Sequence, residues 1–101
     1  MYKITNYLYQ QAQKLGGFII KPSTKKNKKI DVYDSLNNYL CSIGDIRYSD
    51  YPTYILSDGL EYANNRRRLY RLRHKDEDKK PNTAGYFAYY ILWWIYYILI
   101  N

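Results

Sequence analysis

The chain has 101 residues, with 16 lysines and arginines against 9 acidic residues and a formal net charge of +7. That length supports one domain with a modest core, and the single His and single Cys exclude a self-contained zinc cage or an internal disulfide. With 47% hydrophobic residues, the composition also excludes a disordered tail.

The first half of the chain predicts a short helix and then a small antiparallel sheet. Residues 1–17 are interpreted as an N-terminal helical arm, with a helix over 5–15 that Gly16 and Gly17 end. Alternating or continuous apolar residues predict strands over 18–20, 30–33 and 39–43, and Pro22 with Ser23 is expected to break the first. Residues 25–29 read as a lysine-rich loop, and Gly44 with Asp45 is expected to end the sheet.

The second half predicts an irregular stretch followed by an arginine-rich helix. Residues 48–56 contain Pro52 and carry no regular period. Asp58 followed three residues later by Glu61 is typical of a capping box, which predicts a helix that runs to about Lys75. Its apolar side is assigned to Tyr62, Ala63, Leu69 and Leu72, and its outward side to Arg66, Arg67, Arg71 and Arg73.

The chain is expected to end in an aromatic helix. After a charged connector, Asn82 or Thr83 caps a last helix through an uncharged run over 84–100. Residues 95–101 are predicted to be an apolar extension of that helix. The predicted fold is α+β: a small antiparallel β-meander packed by the Arg-rich helix, with a hydrophobic aromatic C-terminal helix and a short N-terminal helix. Residues 18–94 are predicted to form the single basic domain.

Two cationic segments are candidate contact surfaces. Rows of Arg and Lys bind the phosphate backbone of nucleic acid or the carboxylates of an acidic protein, and many are only hydrated surface. All three interpretations stay open. The candidate basic contacts are Lys25, Lys26, Lys28, Lys29, Arg66, Arg67, Arg68, Arg71 and Arg73.

The uncharged run is a candidate docking element. As a helix, 84–100 is apolar on every side, and a domain of this size cannot cover such a helix alone. We expect a protein partner to cover it, with membrane contact or an internal core position as alternatives; tryptophans in mid-segment disfavour a membrane crossing. The candidate partner-binding residues are Tyr86, Phe87, Tyr90, Trp93, Trp94 and Tyr97.

Nothing in the sequence predicts catalysis. His74 lies among charged neighbours without a nucleophile or a second acid–base group, and we expect it to cap the end of a helix. Cys41 is interpreted as a small apolar filler. The acidic residues 76–78 are expected to face solvent, so no metal, cofactor or enzyme activity is expected.

Several short motifs occur in a consistent order: "KKNKKIDVYD", "SIGD", "YSDY", "RRRLYRLRHKDED" and "NTAGYFAYYILWW". In these the chain resembles a family of short basic proteins of large double-stranded DNA viruses. The resemblance covers about 18–94 and implies a viral setting without an activity. The matching residues are Lys28, Lys29, Tyr33, Gly44, Asp45, Tyr48, Asp50, Tyr51, Arg67, Arg68, Tyr70, Arg73, His74, Gly85, Leu92 and Trp93.

The leading functional prediction is a minor structural, virion-associated protein that docks through its aromatic C-terminal helix and bridges through its basic body. Its expected partners are other capsid proteins in a multi-copy assembly, with possible contact to an internal membrane, in the virion and in the host cytoplasm during infection. No secretory signal is recognisable. The alternative is a sequence-nonspecific nucleic-acid-binding protein, in which Tyr48, Tyr51 and Tyr70 stack on bases. A membrane-associated protein outside the particle is a third prediction.

Overall fold

The computed structural model describes residues 1–77 and 79–94, which form a three-stranded antiparallel sheet of strand order β1-β2-β3, four α-helices and one π-helix. The predicted small α+β fold is therefore confirmed. The extension predicted over 95–101 lies outside the described residues. The elements in chain order are α1 (Asn6–Gly16), β1 (Ile19–Pro22), β2 (Lys28–Tyr33), β3 (Tyr39–Asp45), α2 (Tyr51–Asp58), α3 (Leu60–Arg73), α4 (Ala84–Phe87) and the π-helix (Ala88–Leu92).

Helix α1 packs into the same core as the sheet. The Thr5 hydroxyl accepts a hydrogen bond from the Leu8 amide, and Gly17 ends the helix in the left-handed conformation. Leu8 and Ala12 are fully buried among core residues of the sheet and the C-terminal segment. Residues 1–17, expected to be an arm, thus supply part of the core.

The sheet turns one apolar face toward this core. Ile20 pairs with Val32, Ile30 pairs with Ile43, and all four side chains are buried, as the period of two along a strand requires. The sheet ends at Asp45, so the expectation that Gly44 and Asp45 end it is confirmed, with Gly44 still inside β3. Strand β1 ends at Pro22, which agrees with the expected break at Pro22 and Ser23.

Helix α2 occupies the stretch that was expected to be irregular. Asp50 caps it by accepting a hydrogen bond from the Thr53 amide at 3.0 Å. Pro52 lies in the first turn, where a helix does not need the missing N–H. Proline therefore marks the beginning of a helix here, and the expectation of irregular chain was wrong.

Helix α3 follows α2 directly and packs mainly against it. Its N-cap is Gly59, with no side-chain cap, and Asp58 is the last residue of α2, so the predicted Asp58–Glu61 capping box was wrong. Ala63 and Tyr70 are the buried residues of α3. The predicted apolar side was wrong at three of its four positions, because Tyr62, Leu69 and Leu72 are exposed.

The C-terminal segment completes the core. Thr83 caps α4 as predicted, by accepting a hydrogen bond from the Tyr86 amide at 3.3 Å. The chain then widens into the π-helix, which departs from the uniform α-helix that was expected. Three side chains of this segment are at most 1% exposed: Phe87, Ile91 and Leu92. Ile91 and Leu92 follow Phe87 by four and five residues, and a π-turn brings residues at this spacing to one face of the helix.

Gly44 is a position where a side chain does not fit. Its φ is +76°, and an added Cβ would lie 2.9 Å from both Leu92 Cδ1 and Lys29 Cδ. Gly17 is the matched control, because its φ is +69° but nothing lies within 4 Å of an added Cβ. We expect Gly44→Ala to lower the free energy of unfolding by about 2 to 4 kcal/mol and Gly17→Ala by about 1 kcal/mol, measured by urea denaturation. Equal losses for the two variants would contradict the close packing at Gly44.

Candidate functional site

An open groove of about 740 Å³ lies between α3 and the C-terminal segment. Five cationic side chains and two tyrosines line it, with Asn64 and Leu72, and no carboxylate is among the described lining residues. The cations and tyrosines are Arg67, Arg68, Arg71, Lys75, Lys79, Tyr89 and Tyr90.

The helical period places the three arginines of the groove on one side of α3. Arg67 and Arg71 are four residues apart on α3, so successive turns present their charges in a row, and Lys75 lines the same groove just beyond the end of the helix. Arg68 and Leu72 lie alongside on the next row. The described groove therefore combines a line of positive charge with a short apolar contact.

Arg67 joins the two walls of the groove. Its Nε donates a hydrogen bond to the carbonyl oxygen of Trp93 at 2.8 Å, and its guanidinium lies 5.9 Å from the centre of the Trp94 ring. These contacts hold the C-terminal segment against α3 and orient Arg67. Arg67 is thus partly structural, while Arg68 and Arg71 are exposed cations.

The opposite wall is fixed by contacts with the rest of the fold. Lys79 Nζ donates a hydrogen bond to the His74 carbonyl at 3.1 Å and lies 5.0 Å from the centre of the Tyr89 ring. The Tyr90 carbonyl accepts a hydrogen bond from Gln11 Nε2 at 3.0 Å, which ties the segment to α1. The Tyr89 and Tyr90 rings meet edge to face at 4.9 Å.

His74, the single histidine of the sequence, lies at the C-terminal end of α3. His74 is the C-cap of the helix, as expected, and its Nδ1 is hydrogen-bonded to Glu77 Oε2. No group of three potential metal ligands occurs among the described residues. Of the acidic residues 76–78, Asp78 lies outside the described part of the chain.

The lysine-rich segment does not join the groove. Lys25, Lys26 and Lys28 are exposed near the β1–β2 turn and are not among the groove-lining residues. Lys25 Nζ lies 3.7 Å from the centre of the Tyr39 ring, and its hydrogen bond with Tyr39 raises the pKa of Lys25. The two predicted basic segments therefore form separate surfaces.

Lys29 was wrongly predicted to be a basic contact. Its Nζ lies 2.7 Å from Asp50 Oδ2, and the two side chains are only 4% and 1% exposed. The Tyr2 hydroxyl donates a hydrogen bond to the same oxygen at 2.7 Å, and burial with the neighbouring Asp50 charge raises the pKa of Tyr2. The charge of Lys29 is thus satisfied inside the protein and is closed to a ligand.

The predicted aromatic docking residues divide in the structure. Phe87 is fully buried, so it cannot contact a partner and its assignment was wrong. Trp93 stacks on Tyr70 with ring centres 4.5 Å apart and planes 7° from parallel. Tyr86, Tyr90 and Trp94 are partly exposed, and Tyr97 lies outside the described residues; these four assignments stay predictions.

Two of the three predicted base-stacking tyrosines are inaccessible. Tyr51 is fully buried and donates a hydrogen bond to Asn64 Oδ1 at 2.5 Å. Tyr70 is buried, which raises its pKa to about 12. Tyr48 alone of the three is widely exposed, at 71%. Tyr89, which the sequence analysis missed, lines the groove instead; the uniform aromatic run gave no signal to single it out.

Arg66 and Arg73 are not among the residues that line the groove. They lie on the adjacent face of α3, in a second pocket with Tyr54 and Trp93. Cys41 is half-buried against the core, and this burial raises the pKa of its thiol, consistent with a packing role.

Comparison with protein-family models, with curated proteins and with solved structures found no match to this chain. Within the described residues, no helix combines the length and the hydropathy that crossing a bilayer requires.

The buried ion pair predicts unequal roles for two adjacent lysines. Lys29→Met leaves Asp50 buried without its cation, and we expect it to lower the free energy of unfolding by about 3 to 5 kcal/mol. Lys28→Met, at the exposed neighbouring position, is the control and should change stability by no more than about 0.5 kcal/mol. Urea denaturation of both variants checks this, and similar stabilities would show that the Lys29 charge is not buried.

Proposed function

We propose that this protein binds single-stranded nucleic acid, without sequence preference, in the groove between α3 and the C-terminal segment. The observation that carries the proposal is the composition of the groove: five cations and two tyrosines, with no carboxylate among the described lining residues. Sites for single strands combine a cationic track for the backbone with aromatic rings for the bases.

The row of cations supplies the affinity for the backbone. Each phosphate that contacts Arg or Lys releases condensed counterions, so binding weakens as salt rises. Five single-strand contacts, one for each cation of the groove, correspond to a slope of about −3.5 in a plot of log affinity against log salt. Because backbone phosphates are the same in every sequence, this contribution carries no sequence preference.

The tyrosines favour a single strand over an acidic peptide or a duplex. Stacking on aromatic rings requires unstacked bases, which a single strand offers and a duplex does not. An acidic peptide would use the cations but has no flat rings to match Tyr89 and Tyr90. The perpendicular arrangement of these two rings, at 86°, gives each a different plane for contact.

Arginines of the groove provide the first test. Binding of a short oligothymidine, followed by fluorescence anisotropy at several salt concentrations, should weaken in Arg68→Gln and Arg71→Gln. The salt slope should fall by about 0.7 for each lost phosphate contact. Arg47→Gln is the charge-matched control, since Arg47 lies outside the groove and pairs with Asp45, and it should keep the full slope.

Tyr89 provides the test that separates nucleic acid from other polyanions. Tyr89→Ala should weaken oligothymidine binding by about 1 to 3 kcal/mol, while Tyr89→Phe keeps the ring and most of the affinity. Tyr9→Ala, at an exposed position on α1, controls for loss of a surface tyrosine. Polyglutamate binding as tightly as the oligonucleotide, with no effect of Tyr89→Ala on either, would overturn the proposal in favour of an acidic protein partner.

A second candidate function is a minor structural role in the particle of a large DNA virus. Exposed leucines on α2 and α3 favour it: Leu56 is 78% exposed and Leu72 is 54% exposed. The sequence of 95–101 holds six more apolar or aromatic residues. Exposed apolar side chains such as these leucines are typical of docking to a partner. The resemblance to short basic viral proteins supplies only the setting, and contact with capsid proteins or an internal membrane in a multi-copy assembly is part of this second proposal.

Quantitative mass spectrometry of purified particles, before and after detergent stripping, tests this second candidate. A fixed ratio to the major shell protein supports the structural role, and loss with the detergent fraction assigns the contact to lipid. Absence from particles, with the protein present in infected cells, would contradict it.

A further inference from the structure

A second pocket lies on the neighbouring face of α3. It encloses about 350 Å³, near the lower end of the range of small-molecule sites, about 300 to 1,000 Å³. Positions 66, 69, 70 and 73 of α3 face it, which is the spacing of one helical side. Its lining includes Tyr48, Ser49, Tyr54, Arg66, Arg73 and Trp93.

Arg66 lines this pocket and carries a donor without a partner. Its Nε is buried and has no hydrogen-bond partner among the described residues, while its guanidinium lies 5.6 Å from the centre of the Tyr54 ring. A buried donor without a partner is unfavourable, and an anion that reached it would remove that cost. Arg73 is a second cation on the same wall, and no carboxylate is among the described lining residues.

The other walls of the pocket are aromatic. Tyr54 and Trp93 lie with ring centres 6.3 Å apart, and Trp93 is supported by its parallel stack on Tyr70. Tyr48 is widely exposed at the margin, and Ser49 adds a hydroxyl. Flat rings next to two guanidinium groups match a ligand that carries both a flat heterocycle and a phosphate.

We propose that this pocket binds one nucleotide, with its phosphate on Arg66 and Arg73 and its base against the aromatic wall. The volume fits a single nucleotide rather than a strand. A ligand with one base and one phosphate has two sources: a free nucleotide, or the terminal nucleotide of an oligonucleotide. The inference does not rest on the proposed function, because the pocket binds its ligand whether or not the groove holds a strand.

Calorimetric titration of the full chain tests the pocket with thymidine monophosphate, thymidine and inorganic phosphate. The nucleotide should bind saturably, and thymidine, which lacks the phosphate, at least about tenfold more weakly. Inorganic phosphate should also bind more weakly than the nucleotide, because it lacks the base. Equal binding of thymidine and its monophosphate, or no saturable binding, would overturn the proposal.

Variants on the two faces of α3 locate the binding. Arg66→Gln and Arg73→Gln should each weaken thymidine monophosphate binding by about tenfold or more. Arg73 is exposed, so its variant serves if Arg66→Gln fails to fold. Arg71→Gln removes the same charge from the groove face and should leave nucleotide binding within about twofold. A loss for Arg71→Gln as large as for Arg73→Gln would place the nucleotide in the groove and contradict the proposal.

Oligothymidines with and without a 5′-phosphate then distinguish the sources. A preference for the phosphorylated strand that Arg66→Gln abolishes supports a terminal nucleotide in the pocket. Equal binding of both strands, with thymidine monophosphate still sensitive to Arg66→Gln, supports a free nucleotide. Failure of oligothymidine to bind the groove would remove the proposed function and leave the monophosphate result unchanged.

Discussion

The buried ion pair between Lys29 and Asp50 joins the two parts of the fold. One part is the apolar core of α1, the sheet and the C-terminal segment, and the other is the helical pair α2–α3. Lys29 belongs to β2, and Asp50 caps α2, so the pair at 2.7 Å fixes where the helical pair leaves the sheet. Tyr2 adds a third contact to the same carboxylate. Charges buried this deeply are tolerated only when they are paired, which makes this joint specific in geometry.

The C-terminal segment is the second connection between the core and the helical pair α2–α3. It forms one wall of the groove and one wall of the second pocket. Phe87, Ile91 and Leu92 anchor the segment in the core, and Trp93 then stacks on Tyr70 of α3. Arg67 bonds to the Trp93 carbonyl on the groove side. The arginines of α3 are consequently divided between two faces, a long cationic groove and a compact aromatic pocket. The buried packing of the C-terminal segment therefore determines the shape of both the cationic groove and the aromatic pocket.

Local patterns predicted the elements whose signals lie within a few residues. The α1 boundary at Gly17, the alternation along the strands and the Thr83 cap all follow from neighbouring side chains. Long-range packing decided the rest. No residue close to Lys29 in the sequence indicates that it pairs with Asp50. Helix α2 was missed because Pro52 was interpreted as a helix breaker and Asp50 was not recognised as the N-cap of the helix. The π-helix was missed for a similar reason: a run of continuous apolar residues fits any helical period.

The most direct test of whether the groove binds a single strand is an NMR titration of the labelled protein with oligothymidine. The measurement is the change in chemical shift of each amide and side-chain signal. The largest shifts should fall on Arg71, Tyr89 and Lys79, while Lys25 and Lys26 at the β1–β2 turn stay near their free positions. Largest shifts at the lysines of that turn, with the α3 signals unmoved, would contradict the assignment of the binding surface.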